Sequence, residues 1–237
     1  MGLLFNQVLT RECYKQIQQN IHKMIYNHKL TAIGDRVLAL DYIKNLKEKT
    51  PNFTLIDVGA NANPWTKEYI THVVDIEQCN LGQKQFRGNI SDVDVWNEVL
   101  DYVEKHGKFD FLVSTHTIED ISAAPMVCNM FSRIAKQGFI AIPSKYSELH
   151  KHEGPWRGYI HHRWIYDIKD GNFIGYPKQS FLEHMTYIDE WVKKNPKDGK
   201  EELQFFWKDE IKLNVVNNDH LGPTWSVVVD YYKQLVS

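Results

Sequence analysis

The sequence predicts an α/β protein with a doubly wound, mostly parallel sheet, helices ahead of it and a β-hairpin inserted after the fifth strand. Three observations predict it. Between residues 54 and 144, apolar β-forming runs alternate with amphipathic segments about every 20–30 residues, the pattern of strand–helix units that lay down parallel strands. The first of these runs ends in a carboxylate and a glycine corner, Asp57-Val-Gly59. Asn63-Pro64 follows, an N-cap residue ahead of the residue best tolerated at the first helical position. Beyond Ser144 the alternation stops, and residues 145–195 turn rich in His, Trp, Tyr and Gly.

The totals fit this class. The chain has 237 residues, 43% hydrophobic and 24% charged, enough for one sizeable core. A formal net charge of −2 and a pI of 6.6 supply no global field for nucleic acid, which disfavours that partner. No run approaches the roughly 18 apolar residues of a membrane span, so no membrane association is expected. Met1 to Leu4 is too short an apolar stretch for a secretion signal before Asn6, Arg11 and Glu12. Cys13, Cys79 and Cys128 are far apart and read as free thiols of a reducing compartment, which makes the expected location cytoplasmic.

Residues 1–50 read as a helical cap. Thr10 N-caps a helix over 10–28 with Tyr14, Ile17, Ile21 and Ile25 on one face, and Leu38, Tyr42 and Leu46 mark a second over 34–48. The pair either lids the ligand end of the sheet or covers one of its faces. Residues 51–144 form the core unit, with strands over 54–58, 73–76, 85–90, 109–114 and 139–142. A short helix runs from Asn63 to about residue 71. Ser91 to Asp94 resembles a capping box opening a helix through His106, with Val95, Trp96, Val99 and Val103 inward and Gly107 as its stop. A helix around 123–136 turns Val127, Met130, Phe131 and Ile134 inward. In the 145–195 insertion, 159–168 and 172–176 flank Lys169-Asp-Gly171, a hairpin signal, and 181–194 is helical. Residues 196–237 close the sheet with strands over 203–216, bent at Lys208-Asp-Glu210, and over 224–231.

A sheet of this kind binds ligands beyond the carboxyl ends of its strands. That rule singles out 57–63, Asp75, Asn89, 114–119 and 143–147. His116 and Glu119 stand at the mouth of strand four. His116 either takes a proton from a hydroxyl or amine, or only hydrogen-bonds the loop. The stretch from Pro143 to Trp164 holds four of the eleven histidines, His150, His152, His161 and His162, beside Glu148, Glu153, Arg157 and Arg163. Three readings stay open. In a substrate pocket, Glu148, Arg157, Arg163 and Trp164 hold an acceptor while His161 or His162 removes its proton. In a metal site, His150, His152, Glu148 and one hairpin histidine serve as ligands, but the spacing matches no strong metal motif and no metal is assigned. In the third reading the aromatic hairpin only packs. On a strand, His161 and His162 face opposite ways.

Residues 54–144 as a whole resemble a class I S-adenosylmethionine-dependent methyltransferase, whose sheet is Rossmann-like. Asp57-Val-Gly59 with Ala60 and Asn61 is similar to that family's first motif, where the backbone lies against the methionine part of S-adenosylmethionine. Asp75, followed by Ile76, stands where the family places an acid on both ribose hydroxyls, about 18 residues after Asp57. Asn89-Ile90 stands at the adenine position, and Ser114 ends the fourth strand. The resemblance implies that these nine residues bind the cofactor, and that His116, His161 and His162 are catalytic candidates. Asn61 and Asn63 replace the usual second and third glycines, although asparagine tolerates positive φ. Ser114-Thr-His-Thr117 replaces the Asn/Asp-Pro-Pro-aromatic sequence of enzymes that methylate bases, which points to a small-molecule or carbohydrate-like acceptor. The alternatives are an S-adenosylmethionine-binding protein without catalysis, and a metal-dependent hydrolase using the 148–162 cluster.

Overall fold

The computed structural model describes residues 25–79, 81, 84–152, 154–216 and 225–237, the side chains of 225–228 excepted. The expected helix over 10–28 therefore lies outside the described residues up to position 24. Among the described residues the strands are β1 (Ile25–Thr31), β2 (Leu55–Val58), β3 (His72–Asp75), β4 (Lys84–Arg87), β5 (Phe111–Thr115), β6 (Gln137–Pro143), β7 (Trp164–Lys169), β8 (Asn172–Pro177), β9 (Glu202–Lys208) and β10 (Leu213–Val215). The main helices span Val37–Lys49, Val93–His106, Ala124–Ile134, Thr186–Lys194 and Trp225–Leu235.

Seven strands form one sheet in the order β1-β9-β6-β5-β2-β3-β4, and β10-β8-β7 form a small second one. β2 pairs in parallel with both β3 and β5, with Asp57 opposite Val73 and Val113. The chain winds outward from β2 to β4, then returns to β5 and β6 on the other side. The order reverses between β2 and β5, the switch point where an open α/β sheet leaves a crevice. β9 runs antiparallel beside β6, and β1 closes the edge antiparallel to β9. Mixed α/β architecture with a mostly parallel, doubly wound sheet is thus observed as expected.

Side-chain alternation divides the core. Ile56, Val58, Leu112 and Ile140 face the 93–106 and 124–134 helices and bury Trp96, Val127 and Phe131. Leu55, Val73, Phe111, Val113 and Phe139 face the other way, against Ala39 and Ile43 of the 37–49 helix. That helix covers a sheet face and is not a lid. A third cluster joins Leu149, Ile165, Tyr176, Leu182 and Ile188 to Tyr232 and Leu235.

Three elements differ from expectation. Residues 25–31 are a strand, not the end of a helix, because β9 offers a free edge and Tyr26 stacks on Phe206 at 5.7 Å. No helix follows the Gly59 corner. Residues 64–70 make tight turns instead, with the Asn63 N–H taken by the Asn61 side chain at 2.8 Å and the Thr66 hydroxyl drawn onto Asp57 at 2.6 Å. Residues 225–235 are helical where a closing strand was expected. The β-branched Val227-Val-Val229 run suggested a strand, but seating Tyr232 and Leu235 in the third cluster decides the outcome. Asp92, not Ser91, occupies the N-cap of the 93–106 helix, and no side-chain capping bond forms. The hairpin is as expected: Asp170 (φ 52°) and Gly171 (φ 77°) make the two-residue turn between β7 and β8. No helix among the described residues is long and apolar enough to cross a membrane.

Candidate functional site

The strand tips on either side of the switch point converge on one corner. Gly59 has φ +79°, and a Cβ built there would lie 2.2 Å from Oγ1 of Thr117, so only glycine fits. Its N–H donates to the Val74 carbonyl at 2.9 Å, tying the turn to β3. Asn61 takes φ 53°, the left-handed region that asparagine tolerates, and turns its N–H onto Oδ2 of Asp75 at 2.8 Å. Oδ1 of Asp75 accepts the Glu77 N–H at 2.8 Å. Asp57 is buried, with Oδ2 accepting the Thr66 hydroxyl and Oδ1 unpartnered. Burial, with a smaller push from the Asp75 charge and against the Thr66 bond, raises its pKa to about 7.

A cavity of about 240 Å³ opens at this corner. Gly59, Asp75, Ile76, Asn89 and Ile90 line it, so five of the nine expected cofactor residues share one wall system. Thr117 and Asp120 line it too. Ile76 leaves 63% of its surface exposed, an apolar face at the rim. Ala60 is buried behind the turn. Ser114 is turned away: its hydroxyl donates to the Val58 carbonyl at 3.0 Å and ties β5 to β2, so the expected contact with a cofactor gives way to a strand-to-strand bond.

The next loop residue along is locked. His116 has φ 49°, and its Nε2 lies 2.5 Å from Oε1 of Glu202, its Nδ1 3.4 Å from Oε1 of Glu119. Burial works against its charge, but the two carboxylates prevail and push its pKa up to about 9. Glu202 is fully buried and also binds Arg36, through Nη2 at 2.7 Å and a second Nη1 contact, and Gln204 at 2.6 Å. Burial tends to raise the Glu202 pKa, yet His116, Arg36 and Gln204 together hold it near 2. Glu119 is buried as well, and burial holds its pKa above the ordinary value despite His116. With Nε2 bound to Glu202, Nδ1 facing the buried Glu119 and the ring charged, His116 is a clamp between β5 and β9. The general-base expectation for it is corrected on that ground.

The 143–164 segment and the part of β7 that follows it, to Tyr166, lie against the same loop. Four bonds join them: Arg163 N–H to the Glu119 carbonyl at 2.7 Å, Arg163 Nε to the Asp120 carbonyl at 3.1 Å, Trp164 Nε1 to the Ile121 carbonyl at 2.7 Å, and the Tyr166 hydroxyl to the Ile118 carbonyl at 2.9 Å. His161 and His162 fall in the turn before β7, not on it, so they do not face opposite ways. Both Nε2 atoms point at Oδ1 of Asp120, at 3.7 and 3.5 Å. His162 Nδ1 lies 2.6 Å from Oε1 of the buried Glu148, whose other oxygen meets Lys178 at 3.0 Å. His161, Arg163 and Trp164 line a groove of about 560 Å³, and a second groove of about 620 Å³ shares His162 and Lys178 with it.

Two substrate expectations are corrected. Arg157 is 1% exposed, and its guanidinium is spent on the Leu149, Leu182 and Met185 carbonyls and on Asp189, so no fork is left for a substrate. Glu148 is walled in by Gly158, where a Cβ would lie 2.4 Å from Oε2, and it orients His162 instead of touching a ligand. His150 is bound to the Tyr146 carbonyl, outside the His161–His162 group. Glu153 and Cys13 lie outside the described residues; Cys79 and Cys128 are free. Sequence reasoning missed Arg36, Asp120 and Glu202. Asp120 was one residue past the singled-out 114–119 stretch, while Arg36 and Glu202 reach the site from distant chain and carried no local signal.

No family model and no curated protein matches the chain. Matched solved structures include WbdD, at 10% identity and a TM-score of 0.41, covering 74% of this chain and 40% of that one. Another is the N-terminal domain of EvdMO1 with SAH bound, at 8% identity and a TM-score of 0.38, covering 82% and 96%. A third is an S-adenosylmethionine-dependent methyltransferase from Mesorhizobium loti, at 8% identity and a TM-score of 0.35, covering 70% and 96%. Of these three, the Mesorhizobium loti protein bears the name of the family that the sequence resembles.

Proposed function

We propose that this chain transfers the methyl group of S-adenosylmethionine to a small-molecule or carbohydrate-like acceptor. One observation carries the reading: Asp75, at the tip of β3, lines the switch-point cavity with only one backbone N–H on each oxygen. An ionised carboxylate has about four acceptor directions, so a vicinal diol can still be gripped there. Ile76 and Ile90 supply apolar walls for an adenine, with the exposed Asn89 beside them. The backbone at Gly59, which lines the cavity, would lie along the amino-acid part. Bound there, S-adenosylmethionine supplies an electrophilic methyl group on a sulfonium.

The protein's contribution is alignment and exclusion of misdirected acceptors. Asp120 belongs to the cofactor cavity and faces the histidines of the 560 Å³ groove, so an acceptor seated against Arg163 and Trp164 would present its nucleophile at that border. His161 and His162 border that position. His116 holds the loop that carries Thr117 and Asp120. The free thiols suit a cytoplasmic setting.

Calorimetry with S-adenosylmethionine tests the reading. Wild-type protein should bind at micromolar concentrations, and Asp75→Ala should weaken binding at least tenfold, on the scale of one lost charge-assisted bond pair. Asp75→Asn, which keeps one acceptor oxygen, should fall between. Wild-type protein that gives no heat of binding, or Asp75→Ala that binds as tightly as wild type, would overturn it.

A further inference from the structure

The strongest unexplained arrangement is the meeting of Asp120, His161 and His162. Each offers one ligand atom, and the three atoms lie within 4.8 Å of one another. Two ligands held about 2.0–2.2 Å from a tetrahedral metal are themselves about 3.4 Å apart. The Asp120–His162 and Asp120–His161 separations of 3.5 and 3.7 Å already approach that spacing. We propose that Oδ1 of Asp120 and Nε2 of His161 and His162 bind a divalent first-row transition metal of the zinc or iron(II) type at the border between cavity and groove. Two imidazoles and one carboxylate suit that class, not magnesium or calcium, which prefer all-oxygen shells.

The surroundings support the assignment independently of the three ligands. His162 donates Nδ1–H to Glu148, which fixes the tautomer and leaves the Nε2 lone pair for a metal. Glu148 is itself anchored by Lys178 at 3.0 Å and hemmed in by Gly158. A metal-binding histidine backed by a buried carboxylate is the usual outer-shell arrangement. Asp120 comes from a different loop, yet the four bonds between 118–121 and 163–166 hold its backbone against the histidines. Asp120 is 42% and His161 62% exposed on their side chains, which leaves the remaining coordination positions open toward the groove. Three protein ligands with an open position are the pattern of a catalytic site, not a structural one.

The use of that position rests on the methyl-transfer reading. An acceptor hydroxyl entering it would be acidified, lose its proton to the water of the groove, and attack with the freed oxygen pair as the methyl–sulfur bond breaks and sulfur keeps that bond's electrons. Metal binding itself requires no methyl donor.

The test uses the full chain without a histidine tag, stripped with a chelator and titrated with Zn²⁺ by calorimetry and with Co²⁺ by visible absorption. One equivalent should bind with micromolar or tighter affinity, and Co²⁺ should give the intense bands of a low-coordinate site. His161→Ala and Asp120→Asn should each weaken binding at least thirtyfold, and Glu148→Gln by 10–100-fold, as expected for an outer-shell partner. His106→Ala, on the exposed end of its helix, should change nothing. His161 is largely exposed, so its variant should keep the wild-type circular dichroism. Wild-type protein without a stoichiometric site, or His161→Ala binding as wild type, would show an ion-pair triad that holds no metal. Because S-adenosylmethionine affinity is measured separately, failure of the metal site and failure of the methyl-transfer reading are told apart.

Discussion

His116 and His162 are each caught between two carboxylates on the same side of the molecule, yet they are built for different ends. His116 has one nitrogen 2.5 Å from a fully buried acid that Arg36 and Gln204 also grip, and its pKa is pushed up to about 9. His162 has one nitrogen 2.6 Å from a buried acid, while the other faces a half-exposed acid at 3.5 Å across a gap that opens on a groove. The first histidine joins the end of β5 to β9 through its bond to Glu202. The second, although its own side chain is only 6% exposed, turns its other nitrogen toward an exposed acid at the groove. The second acids stand at nearly the same distance, 3.4 and 3.5 Å, so a histidine between two acids is a clamp or a site according to whether its second partner is buried, as Glu119 is, or exposed beside a groove, as Asp120 is. Low dielectric strengthens the first pairing, and an open second position preserves the chemistry of the other.

The comparison breaks most visibly at Glu202. Glu202→Ala should cost about 3–5 kcal/mol of folding stability, because it leaves Arg36 and His116 with uncompensated charge in a buried place. Chemical denaturation measures this, and a loss under about 1 kcal/mol would mean the clamp reading is wrong. Glu148→Gln should cost less, about 1–3 kcal/mol, since an amide oxygen still accepts His162 Nδ1–H and only the charge beside Lys178 is lost. A Glu148 loss equal to that of Glu202 would erase the distinction between the two acids.

Much of this was legible in the sequence, and what was not has a physical cause. The parallel core was readable because strands buried on both faces are mostly apolar, as at Leu55, Ile56 and Val58, and because a carboxylate near a strand tip stands out. Asp75 and Gly59 were found that way. The Lys169-Asp-Gly171 turn was readable because only a few residues accept two positive φ angles. The final helix was not, since the β preference of its valines is weaker than the packing of Tyr232 and Leu235. Arg157 looked like a substrate fork because charge and spacing are visible in a sequence, while the three carbonyls that consume its donors are not. His161 and His162 were expected on a strand and aimed opposite ways, which fails because β7 begins only at Trp164.

Acidity sharpens the contrast further. The His116 pKa is raised from 6.5 to about 9, so its contribution is fully present below 6.5 and lost as pH rises through about 9. The Glu202 pKa is lowered from 4.5 to about 2, so its contribution is present above 4.5 and lost as pH falls through about 2. The clamp is therefore complete between these ranges, from 4.5 to 6.5. Asp57 adds a separate decline between 3.8 and about 7, because its raised pKa makes ionisation costly in the folded state. His116→Asn, which tolerates the same positive φ, isolates the histidine. The stability gap between wild type and this variant should be about 1 kcal/mol near pH 6, allowing for the partly exposed ring, and should close above pH 9. A gap that widens with pH would contradict a charged His116.

Asp120→Asn should give the smallest stability change, within about 0.5 kcal/mol, despite standing at the centre of the proposed site. Its side chain is 42% exposed, and its separations of 3.5 and 3.7 Å from the two imidazoles are too long for strong charge-assisted bonds. Its backbone position is fixed independently, through the carbonyl that accepts Arg163 Nε, so substitution of the carboxylate leaves the loop in place. Thermal unfolding of wild type and variant without added metal makes the comparison. In saturating Zn²⁺ the wild type should gain stability as ligand linkage requires, about 2.7 kcal/mol at a hundredfold excess over Kd, while Asp120→Asn gains little. If Asp120→Asn is as costly as Glu202→Ala without metal, Asp120 is a second clamp, and the two histidines differ in exposure but not in kind.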